Sequence, residues 1–172
     1  MAPPASKSRP GTEPDGPEPH QPAERIALAA SLCGSRGVQL TALRRQILEL
    51  LWESRGPVGA YELMDALTVR TARAVGPPTV YRALEFLIAQ GLVTKIETRN
   101  AFAPCAHPER RHDCLFFLCD ECGASVELED PWVEQRLAED AGHFGFRVTR
   151  RVVEVAGTCR DCVTDPPIGA SR

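Results

Sequence analysis

Two pairs of cysteines, each separated by two residues, restrict the fold of this chain more than any other feature of its sequence. The first pair is Cys119 and Cys122, followed by Gly123, and the second pair is Cys159 and Cys162. Two C-x-x-C pairs can supply four thiolates to one tetrahedral zinc ion, because each tight turn lets both sulfurs point the same way. The pattern therefore predicts a structural zinc site that holds the second half of the chain together.

Two other kinds of cysteine site fit this pattern less well. A redox dithiol of the thioredoxin type needs one C-x-x-C pair, whereas this chain has two. Zinc deaminases carry a proline before the first cysteine of the pair, but here Cys119 follows Leu118. A redox dithiol stays as the alternative to structural zinc.

The N-terminus and the apolar runs predict a protein that stays in the cytoplasm. Residues 1–22 contain seven prolines and no apolar stretch of the kind that a secretory signal needs. No apolar run approaches the roughly 20 residues that span a membrane. In a reducing cytoplasm, cysteines at C-x-x-C spacing are expected to bind metal rather than to form structural disulfides. We therefore predict no membrane partner.

Charge is distributed unevenly along the chain, whose net charge is −3. Residues 23–98 contain nine Arg and Lys against seven Asp and Glu, whereas residues 99–163 contain eight against twelve. Only the first half could therefore favour a phosphate backbone.

The apolar periodicity of the first half predicts helices followed by a hairpin. Proline and glycine mark the ends of these elements, and Thr41 is the expected N-cap of the second helix. The helices are expected at Ala23–Ser35, at Thr41–Ser54, from Gly59 and at Pro78–Gln90, and the strands at Leu92–Glu97 and Ala101–Pro104. This order predicts a winged helix-turn-helix, in which the later helix enters the major groove. The alternative is a small helical bundle that binds no DNA.

The second half predicts a small α+β unit. Strands are expected at Leu115–Leu118, Ser125–Glu129 and Phe146–Val155, and a helix from Pro131 to about Gly142. A core of this size usually needs a metal or a partner chain for stability.

A second group of possible metal ligands lies between the two halves. Within ten residues the chain places Cys105, His107, His112, Asp113 and Cys114, and Glu127 follows on an alternating strand. Such a mixed set of sulfur, nitrogen and oxygen ligands at a junction could sense metal. The alternative is a solvated polar linker that binds nothing.

Five motifs in one order resemble the ferric uptake regulator superfamily. The DNA-reading helix is matched by residues 77–87, and the second helix by residues 40–48. Residues 59–65 and the two C-x-x-C pairs follow the same pattern, so the resemblance covers residues 24–163. Within the superfamily, Pro77-Pro78, Asn100-Ala-Phe and Cys105 resemble the zinc uptake regulators.

The resemblance implies a homodimeric repressor that binds operator DNA upstream of zinc-import genes when zinc is bound. It implies a structural zinc at the four cysteines and a regulatory zinc at Cys105, His112 and Glu127. The family's remaining regulatory ligand falls at Thr94, whose neutral hydroxyl is a poor zinc ligand. His107 is the first substitute, followed by Glu97 and Asp113. One thiolate in the set favours zinc over iron or manganese.

The predicted DNA contacts lie on the second, third and fourth helices and on the first strand of the hairpin. The resemblance assigns Tyr61 and Arg82 to DNA, although Tyr61 could instead pack between helices and Arg82 could contact phosphate. The further predicted contacts are Thr79, Tyr81, Arg44, Arg45 and Lys95. Ordinary solvated charge is the alternative for the last three.

These observations divide the chain into five parts. They are a disordered tail (1–22), a winged-helix DNA-binding domain (23–98), a hinge (99–105), a dimerisation and metal-binding domain (106–163) and a C-terminal tail (164–172). Cys33 is expected to be a small buried residue, whereas Cys114 could bind metal or pack.

Three rivals to a zinc-responsive repressor stay open. The first is an iron, manganese or peroxide sensor of the same superfamily, and the second is a protein-binding module. The third is a zinc-stapled enzyme, which is disfavoured because the sequence shows no activated nucleophile, paired carboxylates or phosphate loop. No small organic substrate is expected.

Overall fold

The computed structural model describes residues 22–110, 114–149 and 151–163, and for Cys114 it describes only the backbone. The two predicted tails lie outside these ranges except for Pro22, which begins the first helix. No helix in these ranges is long and apolar enough to cross a bilayer.

Four helices form the first half, as the apolar periodicity predicts. They are α1 (Pro22–Ser35), α2 (Ala42–Glu53), α3 (Ala60–Thr71) and α4 (Pro77–Ala89). Thr41 occupies the N-cap position of α2, but its side chain makes no capping hydrogen bond. Each helix turns an apolar face toward one core, which buries Leu51, Leu63 and Leu84 almost completely.

A three-stranded antiparallel sheet, rather than a two-stranded hairpin, follows these helices. Its strands are β1 (Val58–Gly59), β2 (Val93–Ile96) and β3 (Ala101–Pro104), in the order β1-β3-β2. The sequence did not predict β1, because a strand of two residues is too short to show alternation. The first half is a winged helix-turn-helix, which confirms the predicted fold.

The second half contains a second sheet and one helix. The strands are β4 (Cys114–Cys119), β5 (Ser125–Leu128) and β6 (Val152–Gly157), and the helix is α5 (Pro131–His143). Strand β4 lies in the centre, antiparallel to β5 and parallel to β6. A parallel pair needs a crossover connection, and α5 lies in it. Asp130 caps α5 by accepting a hydrogen bond from the Trp132 amide at 2.9 Å.

The predicted strand Phe146–Val155 is wrong in its first part, because β6 begins only at Val152. Val152 pairs with Cys114, where β4 itself begins, so within the described ranges no strand lies opposite the residues before Val152. The alternating apolar residues Phe146 and Val148 are exposed instead.

The core of the second half is small and is shared with the wing. Phe116 and Leu118 of β4 pack with Ile96 and Ala103 of the wing in one buried cluster. By contrast, α5 has no buried residue. The second half therefore depends on contacts beyond its own helix for its stability.

We expect Leu84→Ala to lower the free energy of unfolding by about 2–5 kcal/mol, because it leaves a cavity in the core of the winged helix. Urea denaturation measures this loss. The control is Val69→Ala on α3, whose side chain is 84% exposed, and this substitution should leave the midpoint nearly unchanged. Equal losses in both variants would contradict the described core.

Candidate metal centres and nucleic-acid interface

The parallel pairing of β4 with β6 brings the two cysteine pairs together. Cys119 ends β4 opposite Gly157 of β6, and the Asp120 amide donates to the Gly157 carbonyl at 2.8 Å. The turn after Cys119 carries Cys122, and the turn after Gly157 carries Cys159. Neighbouring strands therefore deliver both C-x-x-C turns to the same end of the sheet.

The four sulfur atoms have the spacing that one tetrahedral metal ion requires. The Sγ atoms of the two pairs, Cys119 with Cys122 and Cys159 with Cys162, all lie within 4.8 Å of one another. The Sγ atoms of Cys122 and Cys159 are 3.7 Å apart. A tetrahedron with zinc–sulfur bonds of about 2.3 Å has edges of about 3.8 Å. This spacing fits zinc and exceeds the roughly 2.05 Å of a disulfide bond.

The turn around Cys119 favours a thiolate. Hydrogen bonds from backbone amides, first that of Cys122 and then that of Cys159, lower the pKa of Cys119 to about 6. The neighbouring sulfurs of Cys159 and Cys122 raise the pKa of Cys162 to about 12. Four sulfurs this close cannot all ionise without a cation between them, so metal binding should release protons from the cysteines.

The second predicted cluster is described only in part, because His112 and Asp113 lie outside the described residues. Cys105 follows β3 and is 4% exposed. The Glu127 carboxylate on β5 accepts a hydrogen bond from the Ala106 amide at 2.8 Å. The structure therefore brings together the chain segments of two predicted ligands, Cys105 and Glu127.

The substitutes suggested for the missing ligand take other partners. The ring nitrogen Nδ1 of His107 lies 3.3 Å from the Glu109 carboxylate, and the histidine side chain is 40% exposed. The Glu97 carboxylate pairs with Lys95 at 2.6 Å. Thr94 lies on β2 opposite Ala103. Among the described residues, the four cysteines form the one group of three or more possible ligands with metal-binding spacing.

Arg25 of α1 and Arg36, which follows the end of α1, hold the loop that carries this cluster. The Arg25 guanidinium donates to the Ala106 carbonyl, and Arg36 donates to the Pro108 carbonyl at 3.1 Å. Arg36 also donates to the Gln90 carbonyl at the end of α4. The sequence did not indicate these contacts, because the acceptors are backbone carbonyls, which no residue type marks.

Helix α4 presents a polar face opposite its buried one. Thr79 and Arg82 are exposed and Tyr81 is 39% exposed, whereas Val80 and Leu84 are buried against the core. Helix α4 begins with two prolines, which have no amide N–H and so leave none without a partner at the start of the helix. This arrangement fits a helix that lies in a groove of DNA and reads it with its polar side.

The other predicted DNA contacts differ in their exposure and in the contacts that they already make within the protein. Tyr61 of α3 is 64% exposed, and Arg45 is exposed as well. The Arg44 guanidinium lies over the Phe86 ring at 3.4 Å and donates to the Gln39 carbonyl, so it already joins α2 to α4. Lys95 pairs with Glu97 on the wing.

The sequence pattern of the ferric uptake regulator family matches residues 35–156. The chain belongs to this family. Over 141 residues it is 38% identical to the zinc uptake regulation protein of Escherichia coli K12, covering 81% of this chain and 82% of that protein. It is 33% identical to the Mycobacterium tuberculosis H37Rv zinc uptake regulation protein, covering 77% of this chain and 98% of that protein.

A solved structure agrees with this membership. The zinc uptake regulator complexed with zinc and DNA superposes with a TM-score of 0.79 at 37% identity, covering 83% of this chain and 95% of that one. The chain is thus a metal-responsive, DNA-binding regulator of the family in its general function. Its relatives are regulators, which is consistent with the prediction that it is not an enzyme.

We expect Cys122→Ser to remove one metal equivalent per chain and to abolish the cooperative unfolding of the second half. The reason is that structural zinc sites in small domains contribute about 10 kcal/mol of apparent binding free energy. Zinc content and thermal denaturation measure the two effects. Cys33→Ala, at a buried cysteine far from the cluster in sequence, should keep the full metal content. An unchanged metal content in Cys122→Ser would refute the four-cysteine site.

Proposed function

We propose that this chain is a zinc-responsive transcriptional repressor, which binds operator DNA as a zinc-loaded homodimer in the cytoplasm and represses zinc-uptake genes. The observation that carries the proposal is the junction beside the winged helix, where the Glu127 carboxylate accepts a hydrogen bond from the amide of Ala106, the residue after the buried Cys105. The similarity to zinc uptake regulation proteins supports the choice of gene targets.

The proposed metal content is one structural and one regulatory zinc per chain. The structural ligands are the four cysteines, and the regulatory ligands are Cys105, His112 and Glu127, with His107 as the fourth candidate. A bound zinc ion would supply the positive charge that lets a thiolate and a carboxylate share this junction. A thiolate in the set favours zinc over the harder ferrous and manganous ions, which supports zinc as the signal.

The proposed DNA interface is the polar face of α4 with Tyr61 and the wing. In this proposal Arg82 bonds a base edge or a phosphate, and Thr79 and Tyr81 contact DNA beside it. Arg45 and Lys95 add positive charge at the sides, whereas Arg44 supports α4 from below through Phe86. Because several cations would neutralise phosphates, we expect operator affinity to fall steeply with salt.

The proposed dimer interface is the solvent-exposed face of the second sheet. Phe117 of β4 is paired with Val126 of β5 and with Val155 of β6, so the three form one apolar row across the sheet. All three are between 39% and 47% exposed, and Trp132 of α5 is 66% exposed. A second copy would cover this row and would also place two α4 helices on one DNA face. We propose residues 106–163 as the dimerisation domain, joined to the winged helix (23–98) through the hinge (99–105).

Zinc should promote DNA binding at a lower free concentration than ferrous iron or manganese does. A suitable probe is a duplex selected from random sequence by the zinc-loaded protein, and fluorescence anisotropy measures its binding as each metal is titrated. Cys105→Ser and Glu127→Gln should raise the zinc requirement at least about ten-fold, since each removes a proposed ligand. His143→Ala, at an exposed histidine without a proposed role, serves as the control. A lower requirement for iron or manganese would instead assign the chain to the iron or manganese sensors.

Phe117→Asp should convert the dimer into a monomer, because it places a charge in the apolar row that the second copy covers. Light scattering coupled to size-exclusion chromatography measures the mass. Val69→Asp introduces the same charge at an exposed site of α3 and should leave the mass unchanged. A monomeric wild-type protein, or a dimeric Phe117→Asp variant, would contradict the proposed interface.

A further inference from the structure

The winged helix meets the cysteine site through a backbone contact that only glycine permits. We call residues 119–123, which carry the first cysteine pair, the knuckle. A Cβ atom on Gly56, in the loop between α2 and β1, would lie 2.2 Å from the Gly123 carbonyl oxygen. The clashing atom belongs to the backbone rather than to a flexible side chain, so one half would have to move away from the other to remove the clash. The two halves of the chain are therefore in direct contact here.

Arg99, in the turn between β2 and β3, ties the wing to the same knuckle. Its guanidinium donates to the Cys119 carbonyl at 2.7 Å and to the Gly123 carbonyl at 3.2 Å. It also lies 3.3 Å from the Asp120 carboxylate, and its side chain is 25% exposed. One arginine thus satisfies two carbonyls of the turn whose shape the cysteines determine. Hydrogen bonds from a charged donor are about twice as strong as neutral ones.

Glu154 of β6 binds the turn between β2 and β3, the turn that also carries Arg99. Its carboxylate accepts hydrogen bonds from the Glu97 amide at 2.7 Å, from the Thr98 amide at 3.1 Å and from the Thr98 hydroxyl. Partial burial opposes ionisation, yet these hydrogen bonds lower the pKa of Glu154 below its ordinary value. The carboxylate is therefore ionised at neutral pH, where all three contacts are available.

These contacts surround the apolar cluster that the two halves share. Ile96 and Ala103 of the wing pack there against Phe116 and Leu118 of β4. The wing is also continuous with α4, since only Gln90, Gly91 and Leu92 separate α4 from β2. An orientation imposed on the wing is thus transmitted directly to α4.

We propose that Gly56, Arg99 and Glu154 are positioning residues, which dock the winged helix on the knuckle and β6 and thereby fix the direction of α4 for DNA binding. The inference rests on the proposed function, in which a dimer presents two α4 helices to one duplex. Half-sites on DNA lie about 34 Å apart per helical turn, so two reading helices must hold a set separation. The knuckle then orients the DNA-binding half, in addition to stabilising the second half.

The test uses Gly56→Ala, Arg99→Ala and Glu154→Ala in the full zinc-loaded protein. Binding to the selected duplex is measured at saturating zinc, and hydrogen exchange is measured at the Glu97 and Thr98 amides that donate to Glu154. Zinc content, mass in solution and circular dichroism establish that each variant is folded. If Gly56→Ala does not fold, the other two variants carry the test. Arg147→Ala and Glu24→Ala are the matched controls, since both side chains are exposed and neither lies in a C-x-x-C turn.

The three substitutions distinguish a change in DNA affinity caused by lost docking from one caused by a change in net charge. Arg99→Ala removes a positive charge, Glu154→Ala removes a negative one and Gly56→Ala changes none. Charge alone would make Glu154→Ala bind DNA more tightly. Docking instead predicts that all three lose affinity by about five-fold or more, a typical coupling between sites. Faster exchange should accompany the loss, while both controls behave as wild type.

Two results would overturn the proposal. Unchanged exchange at Glu97 and Thr98 in all the variants would show that the wing is not docked in solution. Faster exchange with wild-type DNA affinity would show that docking does not position α4. A wild-type protein that selects no duplex would refute the proposed function, whereas the exchange measurement would still test the docking by itself.

Discussion

The hydrogen-bonded pairing of β4 with β6 is the interaction on which the rest of the molecule depends. It is parallel, so it requires a crossover, and the crossover contains β5 and α5. Because the two strands end together, their following turns bring four cysteines within 4.8 Å. The same strands present Phe116 and Glu154 to the wing, and Phe117 to the opposite face. One strand pair thus supports the candidate metal centre, the contact with the winged helix and the proposed dimer face.

Much of the architecture could be predicted because the relevant signals are local. Helical periodicity placed both ends of α1, α2 and α4 and the start of α3 within one residue. The C-x-x-C spacing identified the four sulfurs that the structure brings together. Two failures have the same origin. Strand β1 is made by its partner β3 rather than by its own two residues. Among the described residues, the predicted strand from Phe146 has no partner before Val152. A strand exists only where a neighbour supplies its hydrogen bonds.

The contacts of the arginine side chains were harder to predict than the positions of the cysteines. Arg25, Arg36 and Arg99 donate to backbone carbonyls of distant segments, and a carbonyl has no sequence signature. The positive charges of Arg25 and Arg36 were therefore counted toward a DNA surface, although the fold uses them internally. Arg44 shows the same ambiguity, because it was predicted to contact phosphate and is found stacked on Phe86. A modest excess of basic residues in residues 23–98 thus overstates the charge available to DNA.

The division of the four cysteines between two distant turns has a consequence for biosynthesis. Helices α1 to α4 and the whole wing are complete once Pro104 has been made, whereas the last cysteine of the cluster is Cys162. Domains fold as they leave the ribosome, N-terminal part first. The winged helix can therefore fold before the four cysteines of the candidate metal centre come together. Closing the long loop between the two pairs costs entropy, which metal binding would offset. A nascent chain would pass through a stage with a finished DNA-binding half that nothing yet orients, so metal supply during translation would determine when the regulator matures.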